Sequence, residues 1–260
     1  MIFLKLGGSL ITDKTRDNTP RMDVLHHLAR EIATYQHTDR QPLLIGHGSG
    51  SFGHAAAHRY GTRQGVTSAE EWRGFAEVSL AAARLNRLVT DALSEAGVSV
   101  ICAPPSASAW CEDGRLAALD TRLIQTALDH GLTPLVMGDV ALDAVRGGTI
   151  VSTEEVFAYL AQVLPVSCIL LAGETEGVYR SPDQPEVITH ITPQNWQQVR
   201  AGVSEARGAD VTGGMLGKVS DMLALVHTHP RVAVRIFSGL AEGNLTRALR
   251  GEPIGTLITH

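Results

Sequence analysis

Short, continuously apolar segments alternate along the chain with longer segments in which apolar residues recur every three or four positions. The continuous segments predict buried strands, because a strand that is covered on both faces needs no alternation of polar and apolar side chains. They comprise residues 1–6, 42–45, 98–103, 133–137, 166–171 and 232–237. The pattern therefore predicts a sheet whose strands are separated by helices.

The periodic segments predict amphipathic helices over residues 75–93, 156–164 and 216–226, the first of them closed by Gly97. Strand–helix alternation over the whole length indicates an α/β fold, with a largely parallel central sheet and helices on both faces. Two stretches break the rhythm. Residues 139–151 predict a hairpin with its turn at Gly147 and Gly148, and residues 173–211 predict irregular excursions.

No repeat, linker or low-complexity tract divides the sequence. We therefore expect a single domain over residues 1–260, with an N-terminal substrate lobe at roughly 1–165 and a C-terminal nucleotide lobe at roughly 166–260.

Composition and charge exclude several classes of protein. Hydrophobic residues make up 44% of the 260 positions, enough for a sizeable core, and the net charge of −5 offers no basic field for a nucleic acid. No apolar stretch approaches the roughly 20 residues that a membrane helix needs. The three cysteines form no metal or disulfide spacing. We expect a cytoplasmic protein with reduced thiols, and any bound anion must be held locally.

The first anion-binding candidate directly follows the first strand. Lys5 precedes Gly7, Gly8 and Ser9, and Lys14 comes nine residues after Lys5. Glycines at a strand end let backbone N–H groups face an anion, and a serine adds a hydroxyl donor. A glycine turn with two surface lysines is the alternative.

The second candidate, residues 46–54, follows the second strand with the sequence GHGSGSFGH. It has the composition of a phosphate-binding loop. Gly48–Gly53 also satisfies the dinucleotide fingerprint G-x-G-x-x-G, so a nicotinamide-dependent oxidoreductase remains an alternative, although no strand follows until residue 98. His54 closes the loop and could donate to a substrate phosphate. His58 lies four residues further on, but no third ligand supports a metal site.

The third candidate is Gly213-Gly214-Met215-Leu216-Gly217-Lys218, at the start of the last predicted helix. Glycines at a helix start, followed by a lysine, favour anionic oxygens. The segment is not a P-loop, because Thr212 and Val219 replace the required glycine and hydroxyl residue.

Acidic candidates accompany these loops. Asp139 follows the strand over residues 133–137, where a carboxylate could orient lysines or Mg²⁺, and Glu174 and Glu176 fit contacts at the nucleotide's edge. Three glycine loops, two of them with lysines, together indicate two phosphate-bearing ligands and hence phosphoryl transfer.

The four motifs KLGGSLITDK, GHGSGSFGH, GDV and VTGGMLGK resemble the amino acid kinase superfamily in order and spacing, over essentially the whole chain. Within it, the SFGH ending resembles the isopentenyl phosphate kinase family. The resemblance implies a three-layer αβα sandwich, a homodimer, and the use of ATP with Mg²⁺ to phosphorylate isopentenyl phosphate. A fosfomycin-type or other phosphate or phosphonate kinase of the same fold is the alternative.

The resemblance also implies roles for individual residues. Lys14 would stabilise the transferring phosphoryl group, His54 would bind the acceptor phosphate, and Asp139 would organise the lysines or Mg²⁺. The implied ATP-binding residues are Lys5, Gly7, Gly8, Ser9, Gly50, Gly214, Lys218 and Glu174. The implied acceptor-binding residues are Gly48, Ser49, His54 and Thr153. Ser49 stands where relatives usually have glycine, residues 152–155 read STEE instead of SGDD, and ETEGVY lacks the usual Asp-Gly pair.

Overall fold

The computed structural model describes residues 1–39, 41–181, 184–204 and 214–260. Within these ranges the helices are α1 (Gly8–Ile11), α2 (Met22–Asp39), α3 (His54–Tyr60), α4 (Ala69–Glu95), α5 (Arg122–Asp129), α6 (Thr153–Leu160), α7 (Trp196–Ser204), α8 (Gly214–Thr228) and α9 (Asn244–Leu249). None of these helices is both long and apolar enough to cross a bilayer.

The strands of the same ranges are β1 (Ile2–Leu6), β2 (Leu43–His47), β3 (Val100–Cys102), β4 (Trp110–Glu112), β5 (Arg115–Ala118), β6 (Thr133–Met137), β7 (Asp139–Asp143), β8 (Gly147–Val151), β9 (Cys168–Gly173), β10 (Tyr179–Ser181), β11 (Gln184–Val187), β12 (His190–Ile191), β13 (Ala233–Ser238) and β14 (Thr256–Ile258).

The main sheet of the described chain has eight strands in the order β12-β14-β13-β9-β1-β2-β6-β3. All of its neighbouring pairs are parallel except β13 with β14. Because β1 lies between β2 and β9, the carboxyl ends of these strands, and the loops that follow them, meet at one edge. Open α/β sheets bind their ligands at such an edge.

Two apolar cores cover the two faces of this sheet. Phe3 of β1 packs in the core that contains residues of α6 and α8, whereas its neighbours Ile2 and Leu4 pack in the core that contains residues of α2, α4 and α9. This alternation follows from the period of two along a strand. The result is helix, sheet and helix in three layers, and the predicted fold class is confirmed.

A smaller sheet in the order β5-β4-β7-β8 is inserted beside the functional edge. Its β7 begins two residues after β6 ends, and β8 returns the chain to Ser152, which caps the start of α6. The predicted hairpin is therefore present, but its predicted turn was wrong. Residues 144–146 make the turn, and Gly147 and Gly148 already lie in β8, paired with Asp143 and Leu142.

Candidate active site

A cavity of about 340 Å³ opens at the carboxyl ends of β1 and β2. Most of the residues proposed above from the sequence line it together, although they come from separate parts of the chain. They are Lys5, Gly7, Gly8, Ser9, Lys14, Gly48, Ser49, Gly50, His54, Asp139, Thr153 and Lys218. The parallel order of the sheet accounts for this convergence.

The two N-terminal glycine loops touch each other through their backbones. A Cβ on Gly8 would lie 2.3 Å from the backbone N of Gly50, and a Cβ on Gly50 would lie 2.0 Å from Thr12 Oγ1. Gly50 also has a φ of +53°, in the left-handed region that favours glycine. These two glycines allow the loop after β1 and the loop after β2 to sit in direct contact.

Not every glycine in these loops has an amide that points at the cavity. The Gly7 N–H donates to the Ala172 carbonyl at 2.8 Å, and the Gly48 N–H donates to the Leu6 carbonyl at 3.0 Å, so both extend the sheet. Gly8 and Ser9 instead begin α1, where the helix supplies no acceptor for the first amides. An anion in the cavity would meet those amides.

Lys5 forms a salt bridge with Glu154, and each side chain is only 11% exposed. Burial opposes ionisation of the Glu154 carboxyl, but the charges of Lys5 and Lys218 and the hydrogen bond from Lys5 outweigh it and lower its pKa. Glu154 therefore stays ionised between two lysines. This carboxylate is placed by the first turn of α6, which follows the return of β8.

Asp139, which the resemblance predicts to organise the lysines or Mg²⁺, does not form the salt bridge that Lys5 makes with Glu154. Its role toward Mg²⁺ stays a prediction. The Asp139 carboxylate faces the start of its own strand and accepts from the Val140 N–H at 2.8 Å and the Ser106 N–H at 3.1 Å. Burial raises the pKa of Asp139 above its ordinary value, although these hydrogen bonds oppose the shift. Glu154 was not predicted as a site residue. The sequence did contain a signal for it, because Glu154 lies in the first turn of α6, within the STEE segment that replaces SGDD.

Thr153 and His47 meet behind the acceptor loop. The Thr153 hydroxyl donates to the His47 carbonyl at 2.7 Å, and its residue is 1% exposed. The side chain lines the cavity, but its hydroxyl is committed to the backbone of β2. Thr153 therefore positions the end of β2 rather than offering a free donor to an acceptor.

Lys14 lies on a loop that folds back over the site. Thr12 and Pro20 pair across this loop, and the Asp13 N–H donates to the Thr19 carbonyl at 2.9 Å. His54 begins α3 directly after Gly53, whose φ of +78° turns the chain into the helix. Both residues line the same cavity.

The wall beyond His54 is mainly apolar and has a polar rim. Its apolar part is formed by Phe52, Ala57, Val78, Ala82 and Ile150. His58, Arg63 and Gln64 contribute the polar part. No group of three His, Cys, Asp or Glu side chains suited to a metal ion occurs among the residues that the structure describes.

Three residues proposed for the nucleotide lie outside this lining. Glu174 accepts from Arg21 Nη1 at 2.7 Å, and the Glu176 N–H donates to the Tyr179 hydroxyl at 3.3 Å. Gly214 begins α8 and lines a neighbouring cavity of about 410 Å³, together with Lys218 and Glu154. Gly213 lies outside the described residues.

Comparison with known proteins decides the family. Residues 1–238 match the amino acid kinase family. The chain belongs to this family. The kinase is 33% identical to the isopentenyl phosphate kinase of Methanothermobacter thermautotrophicus over 100% of the chain and 99% of that relative. It is 35% identical to the isopentenyl phosphate kinase of Haloferax volcanii, over 99% and 98% of the two chains.

A solved structure of an isopentenyl phosphate kinase matches the fold of this kinase with a TM-score of 0.82 and 30% identity, covering 100% of both chains. The predicted family is therefore confirmed. The nicotinamide alternative is not supported, because Gly48–Gly53 leads into the seven-residue α3 and the 27-residue α4. A dinucleotide fold would follow the loop with one helix and then a strand ending in a ribose-binding acid.

Proposed function

We propose that this kinase transfers the γ-phosphoryl group of ATP to isopentenyl phosphate, giving isopentenyl diphosphate and ADP. One observation carries the proposal. Lys5, Lys14 and Lys218 line the same cavity as both glycine loops and His54, and that cavity continues into an apolar wall. Three cations in a protein of net charge −5 suit two polyanions placed side by side, and the apolar wall suits a short hydrocarbon chain.

On the donor side, the ATP phosphates would lie against Gly8, Ser9 and Gly50, with Lys5 and Lys218 neutralising their charge. Gly7 would contribute by its lack of a side chain, because a Cβ there would lie 2.8 Å from the Ala172 carbonyl oxygen. Gly214 and Glu174 would lie further along the nucleotide.

Mg²⁺ would enter with the nucleotide. It commonly keeps several waters and is held by phosphates and one or two carboxylates instead of an all-protein cage. This coordination preference fits the cavity, because the carboxylates in its described lining are those of Asp139 and Glu154. When bound, the ion would neutralise charge on the phosphates.

On the acceptor side, His54 and the loop at Gly48 and Ser49 would hold the phosphate of isopentenyl phosphate. Its hydrocarbon chain would lie along the apolar wall. A phosphate monoester has a second pKa of about 6 and is mostly a dianion at neutral pH. It is therefore a competent nucleophile, and the site needs no general base.

In the transfer, one non-bridging oxygen of the acceptor phosphate forms a bond to the γ-phosphorus of ATP. The bond from that phosphorus to the β,γ-bridging oxygen breaks, and its electron pair leaves on ADP. Charge spreads over the equatorial oxygens of the transferring group. Lys14 would stabilise that charge, because it lines the cavity together with residues of both glycine loops.

The test is release of ADP with Mg-ATP, with isopentenyl phosphate or fosfomycin supplied at equal concentration, and with ATP alone as the control. We expect turnover with isopentenyl phosphate well above the control. Turnover with fosfomycin alone would reassign the acceptor pocket to a phosphonate. No turnover with either acceptor, in protein that binds ATP, would refute the proposal.

The remaining expectations about organisation are also proposals. The acceptor would be held by the N-terminal lobe at 1–165, and the nucleotide would be shared with the C-terminal lobe at 166–260.

A homodimer is supported by Trp110 and Leu142, which are paired positions on β4 and β7 and are 48% and 45% exposed. A Trp110→Arg variant that sediments like the wild type would contradict this interface. The three free cysteines fit a reducing cytoplasm.

A further inference from the structure

The hydroxyl of Thr12 lies between the two glycine loops and bonds to both. It donates to the Gly8 carbonyl at 2.7 Å and accepts from the Ser51 N–H at 2.9 Å. Thr12 is fully buried and follows the last residue of α1. Its own N–H also donates to the Gly8 carbonyl, at 3.0 Å. A single side-chain oxygen therefore connects the proposed ATP loop to the proposed acceptor loop.

Ser51 extends this connection to the loop that carries Lys14. The Thr19 N–H donates to Ser51 Oγ at 3.3 Å, and the Asn18 N–H donates to the Ser51 carbonyl at 3.3 Å. Thr12 itself pairs with Pro20 at the base of the same loop. Thr12 and Ser51 thus hold three segments, which would contact the donor phosphates, the acceptor phosphate and the transferring group.

A purely structural role explains only part of this arrangement. Threonine in or after a helix commonly bonds the carbonyl four residues earlier, as Thr12 does with Gly8. The bond from the Ser51 N–H is different, because it crosses 39 positions of sequence. It joins the two loops beyond their bases, which the Gly48 N–H bond to the Leu6 carbonyl already holds together. Without it, the Gly8 and Ser51 segments of the two loops would lose the side-chain hydrogen bond that joins them.

We propose that Thr12 is a positioning residue whose hydroxyl sets the distance between donor and acceptor phosphates; this inference rests on the proposed function. Phosphoryl transfer depends on in-line placement, and a misplacement of about 1 Å can cost about 100-fold in rate. Loss of the hydroxyl should therefore slow the transfer while leaving each ligand's own contacts in place.

The test compares Thr12→Val, which keeps the shape and removes the hydroxyl, with Thr12→Ser, which keeps the hydroxyl. We measure kcat, the KM of each substrate and the Kd of ADP alone and of isopentenyl phosphate alone. For Thr12→Val we expect kcat to fall roughly 10- to 100-fold while the KM and Kd values change less than about threefold. For Thr12→Ser we expect kcat within about threefold of the wild type.

Several outcomes would overturn the proposal. One is a folded Thr12→Val variant with wild-type kcat. If that variant lost only thermal stability, the role of the hydroxyl would be structural. Another is an equal fall in kcat for both variants, which would show that keeping the hydroxyl does not preserve the rate. If Thr12→Val does not fold, Thr12→Ala removes the same hydroxyl, and a kcat there within about threefold of the kcat of Thr12→Ser refutes the proposal. A wild type that is inactive with isopentenyl phosphate would instead refute the proposed function.

Discussion

His47 Nε2 and Asn86 Nδ2 lie 3.1 Å apart in the protein interior, where strand β2 meets helix α4. The Asn86 amide nitrogen can only donate, so Nε2 accepts and the ring proton is on Nδ1. Nδ1 lies 3.1 Å from the Gly48 carbonyl and donates to it. Asn86 therefore selects the neutral tautomer of His47 that holds the acceptor loop at Gly48.

This arrangement predicts that the protein loses stability as pH falls from about 6.5 to about 4. Burial lowers the pKa of His47 to about 4, and Lys5 adds to the effect, although the bond to Gly48 opposes it. In that window the unfolded chain binds a proton that the native state does not. The free energy of unfolding then falls with decreasing pH, by up to about 1.4 kcal/mol per pH unit. Urea unfolding at pH 7.5, 5.5 and 4.5 measures it.

Carboxyl groups also titrate in this window, so the control is a His47→Gln variant. Its urea-derived stability should be lower at pH 7.5, because its side chain cannot reproduce both ring contacts. The decline in its stability between pH 7.5 and 4.5 should be shallower than in the wild type. Parallel declines in the two proteins would show that His47 is not the group responsible.

Removal of Lys14 should slow the reaction with little loss of stability. Its ammonium group would act on charge that develops in the transition state, and loss of such a donor typically costs about 10²- to 10³-fold in kcat. Steady-state kinetics of Lys14→Ala check this expectation. The matched control is Arg16→Ala, because Arg16 lies on the same loop. Its side chain is 75% exposed, and among the ion pairs of the described chain it forms one only with Asp13. Equal losses in both variants would indicate a nonspecific effect of loop charge.

Replacement of His54 should affect the acceptor more than ATP. Loss of a hydrogen bond to a charged group costs about 1.5–3 kcal/mol, or about 10- to 100-fold in kcat/KM for isopentenyl phosphate. For His54→Ala we expect the KM of ATP to stay within about threefold of the wild type. An equal rise in the KM of ATP would place His54 on the nucleotide side. His37→Ala, near the exposed end of α2, is the control for loss of an imidazole.

The sequence predicted the sheet and the loops better than their side-chain partners. Strand β9 is continuously apolar. The glycines after β1 and β2 predicted two loops, and the structure brings these loops together at one edge of the sheet. The partner of Lys5 could not be chosen in this way. Asp139 and Glu154 both follow strands, and only the packing of α6 against the sheet turns Glu154 toward the lysine. Helix α2 was not among the predicted helices, although Leu25, Leu28 and Ile32 form a buried stripe along it.

The two acids should respond differently to neutralisation. Glu154→Gln leaves Lys5 without its countercharge in a site where each partner is 11% exposed, so we expect a large fall in kcat and a loss of stability. Asp139→Asn keeps an oxygen that can accept from Val140, and the hydrogen bonds described for Asp139 come from the backbone N–H groups of Ser106 and Val140. We therefore expect the fold-loss of kcat in Asp139→Asn to be smaller than that in Glu154→Gln by a factor of about 10 or more. Kinetics at saturating ATP, with thermal melts of both variants, measure the difference. A larger fall in kcat for Asp139→Asn than for Glu154→Gln would contradict this expectation. It would indicate that Asp139 acts on the bound nucleotide, independently of Lys5.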